Sequence, residues 1–565
     1  MIVRAARRPL PLAFAAACAA GFAGRPTAAP AQAITVYAEA YEQAWTGAGS
    51  SIPLYLFNHF SMPPAGQAEA VDLIVDDLDL AYIQDYPDYL RPSTDPDFFQ
   101  RRVDYFRAAL EVNPDLQVAL VGSLYPPDLR RDTVIDGREE RRLDTTRDDI
   151  YAAVAGWYLE MMTYFAERGV AVDILNLVNE PDFRTRRFGV GAQPTTEEDV
   201  ARLFDRAVDS LRAYVADPAR NPEGVAMPLI MGPSTIGPAG AVTFIQYMQR
   251  EVPEAYDNID IVSFHQYQGG TSSAIATLDR ITGDKPLHQS EMHTNRGENV
   301  ASINGLPKAH RGVLSLARTF SAAINQGANA WYYFLNVFPD DDSNPGLLQV
   351  RTSFDRPRPF RHYYAFRQLV SQPVGARRVD RDADGVGAEG DVVTFREEGT
   401  DTVVVHYANY TAAAREVSLE ILADEGGGAL PIAYVDHRVT DATADDSTLA
   451  RVQVDSALAP VALAVTPFSL NTFRVVLGTA TGLAPKRAPA ESLTVLREGG
   501  DALAVRARGV TLGEVRLVSA AGRVVARAAG RDGRARLSTA GLVAGVYVVT
   551  ARTDRGVATR RVVMW

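Results

Sequence analysis

Cysteine is almost absent from this chain of 565 residues, which contains only Cys18. It lies in an N-terminal segment where arginines precede a mostly apolar run at residues 10–22, and where Ala31-Gln32-Ala33 offers small residues for cleavage. This order is typical of a secretory signal, which we assign to residues 1–33. Lipidation of Cys18 is an alternative, although the residues before it match a lipidation signal poorly. A chain without its signal has no cysteine, so disulfide bonds are excluded and the core must stabilise the fold.

A second long apolar run and a strongly basic patch are also missing. After residue 33 no stretch is apolar enough to span a bilayer. The formal net charge is -12 and 22% of the residues are charged, which disfavours nucleic acid and anionic membrane surfaces as partners. Solenoid-type repeats and long low-complexity tracts are absent from the sequence. The composition is typical of a soluble secreted enzyme, and we expect a monomer.

Strand-like and helix-like runs alternate between residues 51 and 373. Apolar, β-branched runs of strand length recur between longer helical segments, and glycines mark the ends of several helices. The predicted strands lie at residues 52–57, 78–84, 116–121, 172–178, 227–231, 259–264, 285–290 and 330–334. Eight strands alternating with eight helices is the count of a closed (β/α)8 barrel.

Short strands with Gly and Asp turns replace the helical period outside this region. Residues 374–478 predict a β-sandwich, and residues 34–50 predict an N-terminal strand that joins it. Residues 479–490, rich in Ala, Thr, Gly and Pro, predict a linker, and residues 491–565 predict a small C-terminal β-sandwich. The predicted fold class is therefore α/β, a TIM barrel with a side β-sandwich and a second, smaller β-sandwich.

Two glutamates follow predicted barrel strands. Glu180 stands in Asn179-Glu180-Pro181 at the end of an apolar run, and Glu291 follows the strand at residues 285–290. The carboxyl ends of barrel strands hold the chemistry of this fold, so both carboxylates are expected at one mouth. Glycosidic cleavage needs one carboxylic acid to protonate the leaving oxygen and one carboxylate to attack or assist at the anomeric carbon. We therefore predict a glycosidase with carboxyl groups about 5 to 5.5 Å apart, the spacing of retaining enzymes.

These motifs resemble glycoside hydrolase family 30, within the large barrel clan of retaining glycosidases. The likeness covers residues 34–476. It rests on Asn179-Glu180-Pro181, Ser290-Glu291, His265-Gln266-Tyr267, Tyr125-Pro126-Pro127, and the segment from Tyr363-Tyr364-Ala365-Phe366 through Gly375 to Arg377-Arg378-Val379. The resemblance implies a secreted retaining enzyme that cleaves β-glycosidic bonds in a β-linked poly- or oligosaccharide.

The resemblance also implies roles for individual residues. Glu180 would be the acid/base and Glu291 the nucleophile. Asn179 would bind the 2-hydroxyl of the sugar, Tyr267 would hydrogen-bond Glu291, and Trp331 would form the floor on which the reacting sugar stacks. Further candidate substrate-binding residues are His265, Tyr125 and Asn58.

Two positions depart from the family. The family usually has an Arg on strand two, where this chain reads Leu80-Ala81-Tyr82-Ile83, and an aromatic residue where Leu124 stands. Both positions belong to the subsite of the reacting sugar, so the sugar and the linkage stay open.

The C-terminal module resembles the type IX secretion sorting domain. The matching segments are residues 515–525 with the turn Gly522-Arg523, residues 537–542 and 544–547, and the basic end at residues 560–562. The resemblance implies export by the type IX machinery, removal of the module, and a location outside the cell or attached to its outer surface. A carbohydrate-binding β module is the alternative.

Three other interpretations bear on function. Residues 380–391 have the oxygen-ligand spacing of a calcium loop, but they join strands rather than helices, so a solvated acidic turn is favoured. His288, Glu291 and His293 lack the backing ligands of a zinc centre, and we predict neither a metal site nor a cofactor. A barrel that binds glycans without cleaving them is the rival to the enzyme, and the presence of both carboxylates argues against it.

Overall fold

The computed structural model describes residues 32–478 with short gaps, and most strands of the C-terminal module. The gaps before residue 478 fall at 53–55, 88–89, 136–137, 183–195, 268–271, 295–307, 340–345, 352, 384, 398, 442–443 and 455–458. After residue 478 the described segments are 493–497, 502–507, 512–519, 524–530, 534–543, 545–553 and 556–564. The assigned signal up to residue 31 and the predicted linker lie outside the described residues.

Eight parallel strands close into a barrel, which confirms the predicted fold class. The first eleven strands of the chain are β1 (Gln32–Ala44), β2 (Gly47–Ser51), β3 (Leu80–Asp85), β4 (Gln117–Val121), β5 (Arg130–Ile135), β6 (Arg138–Leu143), β7 (Ile174–Asn176), β8 (Leu229–Thr235), β9 (Ile261–His265), β10 (Leu287–Glu291) and β11 (Ala330–Tyr333). All of these except β1 and the hairpin β5–β6 belong to the barrel. Most barrel strands are buried along their whole length because helices cover them outside and side chains fill the inside.

The first barrel strand is not where the sequence pattern placed it. The apolar run at residues 52–57 predicts the strand, but the strand is β2, and residues 56–60 form a short helix. β2 consists of Gly, Ala and Ser. Residue 49 must be glycine, because a Cβ there would lie 2.3 Å from the ring of Tyr332. Close contact with the paired strand β11, rather than alternation of apolar residues, selects this strand.

The helices surround the barrel and bury one apolar face against it. In chain order they are α1 (Leu56–Phe60), α2 (Pro64–Val75), α3 (Pro96–Val112), α4 (Ile150–Ala166), α5 (Glu197–Arg202), α6 (Val208–Ala216), α7 (Pro238–Glu251), α8 (Pro253–Asp257), α9 (Ser272–Thr282), α10 (Lys308–Ile324) and α11 (Arg361–Leu369). A π-helical turn, Leu203–Ala207, links α5 to α6. Thr196 caps α5 by accepting a hydrogen bond from the Asp199 amide at 3.1 Å, as a capping-box start predicts.

Aromatic residues fill part of the barrel interior. Tyr82 and Tyr332 stack with ring centroids 5.2 Å apart, and the Tyr332 hydroxyl lies 3.3 Å from Nδ1 of His288. His288 therefore belongs to the filled interior of the barrel. This packed layer supports the mouth above it.

A nine-stranded sheet lies beside the barrel and contains β1. Three short strands, β12 (Val337–Phe338), β13 (Leu348–Gln349) and β14 (Arg358–Pro359), first pair after the last barrel strand. The side sheet then adds β15 (Arg377–Asp382), β16 (Gly390–Arg396), β17 (Thr402–Asn409), β18 (Arg415–Leu422), β19 (Ile432–Thr440), β20 (Ser447–Gln453), β21 (Val461–Val465) and β22 (Ser469–Leu477). β1 pairs antiparallel with β15 and parallel with β18, so the side sheet is built from both flanks of the barrel.

The acidic turn between β15 and β16 uses its carboxylates within the protein. Asp391 accepts a hydrogen bond from the Tyr410 hydroxyl and lies 3.5 Å from the Arg318 guanidinium. Asp382 accepts a hydrogen bond from the Tyr37 hydroxyl. Asp384 lies outside the described residues. These contacts favour a structural acidic turn over the calcium-loop alternative.

A charged network joins α11 to the side sheet. Arg367 contacts Asp446 at 2.7 Å and Asp77 at 2.8 Å, and Arg438 also pairs with Asp446. The Asp446 side chain is fully buried. Arg367 thus links α11 to the segment after β19 through the buried Asp446, and to the segment after α2 through Asp77.

The C-terminal module consists of two small antiparallel sheets around an apolar core. One sheet is formed by β23 (Leu493–Arg497), β24 (Ala502–Ala507) and β27 (Arg534–Ser538), and the other by β25 (Leu512–Ser519), β26 (Val524–Ala529), β28 (Gly545–Thr553) and β29 (Gly556–Met564). Within the described part of the chain, every helix is too short or too polar to cross a bilayer.

Candidate active site

Glu180 lies just beyond the carboxyl end of β7. Its backbone has φ of 47°, in the left-handed region that side chains other than Asn, Asp and Gly rarely adopt. The Glu180 amide donates to the Ser234 carbonyl at 2.8 Å, which fixes this turn against the neighbouring strand β8. The conformation is strained, and such strain concentrates at functional sites. The Glu180 side chain remains 16% exposed at the barrel mouth.

Glu291 ends β10 and receives hydrogen bonds from two tyrosines. Tyr267, two residues beyond β9, donates its hydroxyl to Oε1 at 2.9 Å, so the hydrogen bond expected from the resemblance is present. Tyr86, just after β3, donates its hydroxyl to Oε2. Burial, together with the negative charge of Glu291, raises the pKa of both tyrosines well above the ordinary value. Both hydroxyls therefore stay protonated and act as donors.

His265 bridges the two carboxylates. Its Nδ1 lies 2.9 Å from Oε1 of Glu180, and its Nε2 lies 3.9 Å from Oε2 of Glu291. One carboxylate oxygen of Glu180, one of Glu291 and one ring nitrogen of His265 all lie within 4.8 Å of one another. The imidazole is 1% exposed, so it holds the carboxylates from within the protein.

Charge and burial shift the pKa values of His265 and Glu291. Burial alone would lower the pKa of His265, but the negative charges of Glu291, Glu180 and Asp182 outweigh it and raise the pKa above the ordinary value. Burial raises the pKa of Glu291 and the nearby Glu180 adds to this, while His265 and the tyrosine hydroxyls oppose it. The negative charges around His265 therefore favour its protonated form, against the opposing effect of burial.

A layer of small polar side chains lies beneath the triad. Asn176 on β7 donates to the Ser234 hydroxyl at 2.6 Å, and Ser234 lies 2.6 Å from Ser263 and 3.3 Å from Ser290. These residues come from four successive barrel strands, and all are buried. Ser290 directly precedes Glu291, and the Ser234 carbonyl accepts the hydrogen bond from the Glu180 amide. The layer therefore connects the backbone segments that carry the two carboxylates.

Tyr86 is the site residue that sequence reasoning missed. The predicted second strand ends at residue 84, whereas β3 continues to Asp85 and delivers Tyr86 to the mouth. Asp85 forms a buried ion pair with Arg102 of α3 at 2.7 Å. The second barrel strand thus carries no arginine where the resemblance leads one to expect it. The neutral Tyr86 contacts Glu291, and Arg102 from the next helix pairs with the residue before Tyr86. The polar ending Gln84-Asp85-Tyr86 was the available signal.

Two predicted substrate contacts need correction. Trp331 is fully buried: it stacks on Phe366 at 5.4 Å, lies edge-on to Phe320, and donates Nε1–H to Gln266 at 3.1 Å. It has no exposed face for a sugar and belongs to the barrel wall. Tyr125 is 1% exposed and donates its hydroxyl to the Leu177 carbonyl at 2.8 Å, so it supports the segment that leads to Glu180.

The remaining sequence candidates are placed as follows. Asn179 is partly exposed next to Glu180, and its contact with a sugar stays a prediction. Asn58 lies on α1 rather than at a strand end, and its role also stays a prediction.

Phe334, after the last barrel strand, is partly exposed and lies edge-on to Tyr86 with centroids 5.7 Å apart. Of the aromatic residues on and directly after β11, Phe334 rather than Trp331 lies beside Tyr86, which donates to Glu291.

Replacing Tyr86 with Phe should lower kcat/KM by roughly 10- to 100-fold, because hydrogen bonds to charged groups contribute about 1.5–3 kcal/mol. Tyr86 favours the charged form of Glu291, so its loss raises the pKa of that carboxyl further. Since an attacking carboxylate must be ionised, activity is present above this pKa, and the acidic limb of the kcat/KM profile should move to higher pH. Steady-state kinetics across pH measure both effects.

Tyr105→Phe is the matched control for this substitution. Tyr105 is equally buried and its hydroxyl accepts from Asn336 at 3.3 Å, away from the carboxylates. The control should leave the acidic limb unchanged. Equal profiles for Tyr86→Phe and the parent would contradict the role of Tyr86.

The fold and the site together define a class: a (β/α)8 barrel with a side β-sheet domain and two glutamates converging at the carboxyl ends of its strands. No protein-family model matches the sequence, and no curated protein is significantly similar to it. Solved structures do share the architecture.

A family 30 glycoside hydrolase endoxylanase from Clostridium papyrosolvens C71 superposes with a TM-score of 0.61 at 16% identity, over 78% of this chain and 99% of the other. A family 30 subfamily 8 xylanase from Clostridium acetobutylicum gives 0.59 at 16% identity, over 78% and 99%. An endo-β-1,6-glucanase gives 0.56 at 14% identity, over 79% and 94%. At these identities the likeness establishes the fold.

Proposed function

We propose that this protein is a retaining glycoside hydrolase that cleaves β-glycosidic bonds by double displacement, with Glu291 as nucleophile and Glu180 as acid/base. The observation that carries the proposal is the approach of the two carboxylates, whose oxygens come within 4.8 Å. Retaining enzymes place their carboxyl groups about 5 to 5.5 Å apart, whereas inverting enzymes need about 6.5–9.5 Å to admit a water. The observed spacing supports the retaining mechanism.

The hydrogen bonds support this division of roles. Glu291 accepts hydrogen bonds from two tyrosine hydroxyls, and these bonds favour its charged form. Glu180 is more exposed at the mouth, and in this proposal it is the group that serves the leaving oxygen and the attacking water as acid and base.

The reaction follows from these positions. Glu291 attacks the anomeric carbon while Glu180 gives its proton to the leaving oxygen, and a covalent glycosyl-enzyme forms. Glu180 then removes a proton from a water that attacks the same carbon and releases Glu291. His265, held between both groups, keeps the carboxylates in position as the proton leaves and returns to Glu180.

The fold neighbours suggest where to look for the substrate. Two of them are named xylanases and one an endo-β-1,6-glucanase. We propose a neutral β-glycan as the substrate. Purified protein should release reducing sugar from one member of a panel of xylan, β-1,6-glucan, mixed-linkage β-glucan, mannan and agar, and should do so in EDTA.

The same panel separates the enzyme from its rival, a glycan-binding protein on a glycosidase-like barrel. Binding alone would retard the protein in affinity gels that contain one of these polymers without releasing reducing sugar. NMR of the first product should show the β-anomer before mutarotation. The α-anomer would contradict retention while leaving hydrolysis intact.

We also propose that the C-terminal module directs export through the type IX machinery and is then removed. Its compact two-sheet fold, separate from the side sheet, is compatible with removal as a unit. Mass spectrometry of the secreted protein should find a chain that ends before residue 491. A secreted chain that retains residues 491–565 would contradict this proposal.

A further inference from the structure

A cavity of about 440 Å³ lies on the same end of the barrel as the carboxylates, apart from the triad. It is bordered by α1, which follows the first barrel strand, and by the start of α3, which follows the second. Its lining residues are Leu56, Phe57, Thr94, Asp95, Pro96, Asp97, Phe98, Arg101 and Arg102. The volume lies in the range of small-molecule sites, roughly 300–1,000 Å³.

One wall of the cavity is an exposed aromatic ring. Among the residues that the structure describes, the large apolar side chains left exposed are Phe57, at 65%, and Val543, at 74%, in the C-terminal module. A single exposed apolar side chain is ordinary on a protein surface. Phe57 differs because its ring borders a cavity that also carries carboxylates and guanidinium groups.

Another part of the lining, Arg102, is joined to the triad through neighbouring residues. The Arg102 guanidinium lies 3.4 Å above the centre of the Phe98 ring and pairs with the buried Asp85. The next residue in the chain, Tyr86, donates to Glu291. The layer of Tyr86, Asp85 and Arg102 thus separates the cavity from the carboxylates while fixing it relative to them.

We propose that this cavity is a distal subsite for a neutral sugar residue of the same glycan chain whose bond is cleaved between Glu180 and Glu291; the inference rests on the proposed function. Aromatic rings bind the apolar face of a pyranose, and mixed carboxylate and guanidinium groups bind its hydroxyls as acceptors and donors. Phe57 supplies the ring, and Asp95, Asp97 and Arg101 supply the polar groups. The separation from the triad means that a sugar here is remote from the bond that breaks.

The test is the substitution Phe57→Ala, measured on substrates of two lengths. On the fastest-cleaved polymer of the five-member panel, kcat/KM should fall by roughly 3- to 10-fold, the effect expected for one aromatic contact. On the 4-nitrophenyl β-glycoside of the same sugar, which is too short to reach the cavity, kcat/KM should be unchanged. Phe57→Tyr should retain activity on the polymer, and Val543→Ala, the other exposed apolar side chain, should change neither value.

An unchanged kcat/KM for Phe57→Ala on the polymer would overturn the inference, and so would an equal loss on both substrates. If the parent cleaves no polymer, the proposed hydrolase fails, and affinity gels with the same polymers decide the subsite separately. Retardation that Phe57→Ala weakens would support a glycan site at the cavity. Retardation that is unchanged, or absent in the parent, would overturn it.

Discussion

Replacing Glu291 with Ala should reduce kcat by a factor on the order of 10⁶, the scale observed when a catalytic nucleophile is removed. The reason is that no other carboxylate in the described site can attack the anomeric carbon from the position Glu291 occupies between Tyr86 and Tyr267. The rate should be measured on the polymer that the parent cleaves, with thermal unfolding as a check of folding. Sodium azide should restore turnover and yield an α-glycosyl azide.

The azide product distinguishes the role of Glu291 from mere damage to the site. A small anion that enters the space left by the carboxylate attacks the same face of the sugar, so the α-configured product identifies that face. Glu389→Gln, on an exposed carboxylate that pairs with Arg415 in the side domain, is the control and should leave kcat unaffected. A Glu291→Ala variant that keeps the parent rate would refute the assignment.

Replacing Glu180 with Gln should reduce kcat on natural glycans by roughly 10²- to 10⁴-fold, the usual contribution of general acid–base catalysis. The loss should depend on the leaving group. The 2,4-dinitrophenolate of a 2,4-dinitrophenyl β-glycoside leaves without protonation, so the first step needs no acid. The glycosyl-enzyme should accumulate because the second step lacks its base. Burst kinetics with this substrate measure the effect.

Two results would contradict the role of Glu180. One is an equal loss of rate for substrates with good and poor leaving groups, and the other is the absence of a burst while the steady-state rate is low. Asp182→Asn is a useful comparison, because Asp182 lies near His265 and accepts the Ile236 amide at 2.9 Å. It should lower the rate through the imidazole without creating dependence on the leaving group.

The architecture was largely predictable from the pattern of apolar residues. Parallel strands buried on both faces read as continuous apolar runs, and this property located every barrel strand except the first to within a few residues. The first was missed because β2 is made of Gly, Ala and Ser, and the need for Gly49 comes from the ring of Tyr332 on the paired strand β11. Periodicity within a segment does not record a contact with a residue almost 300 positions away.

The same distinction applies to individual side chains at the site. Glu180 and Glu291 were predictable because a carboxylate at the end of a barrel strand has one expected direction, toward the mouth. Trp331 was misassigned because the pattern of β11 does not tell which of its aromatic residues face the helices. Tyr86 was missed because its function depends on a partner 205 positions later in the chain.

The sequence by itself determined the class of fold and the identity of the two carboxylates, since both follow from local apolar runs and from the residues that end them. The tertiary structure alone decided that Tyr86 and His265 join Tyr267 in holding these carboxylates, that Trp331 lies in the barrel wall, and that Phe57 borders a cavity apart from them. The physical reason is that the chemical character of a carboxylate depends on its burial and on the charges and donors around it. Tyr86 comes from the end of β3, and His265 and Tyr267 come from the end of β9. Only closure of the barrel brings both strand ends to Glu291 on β10.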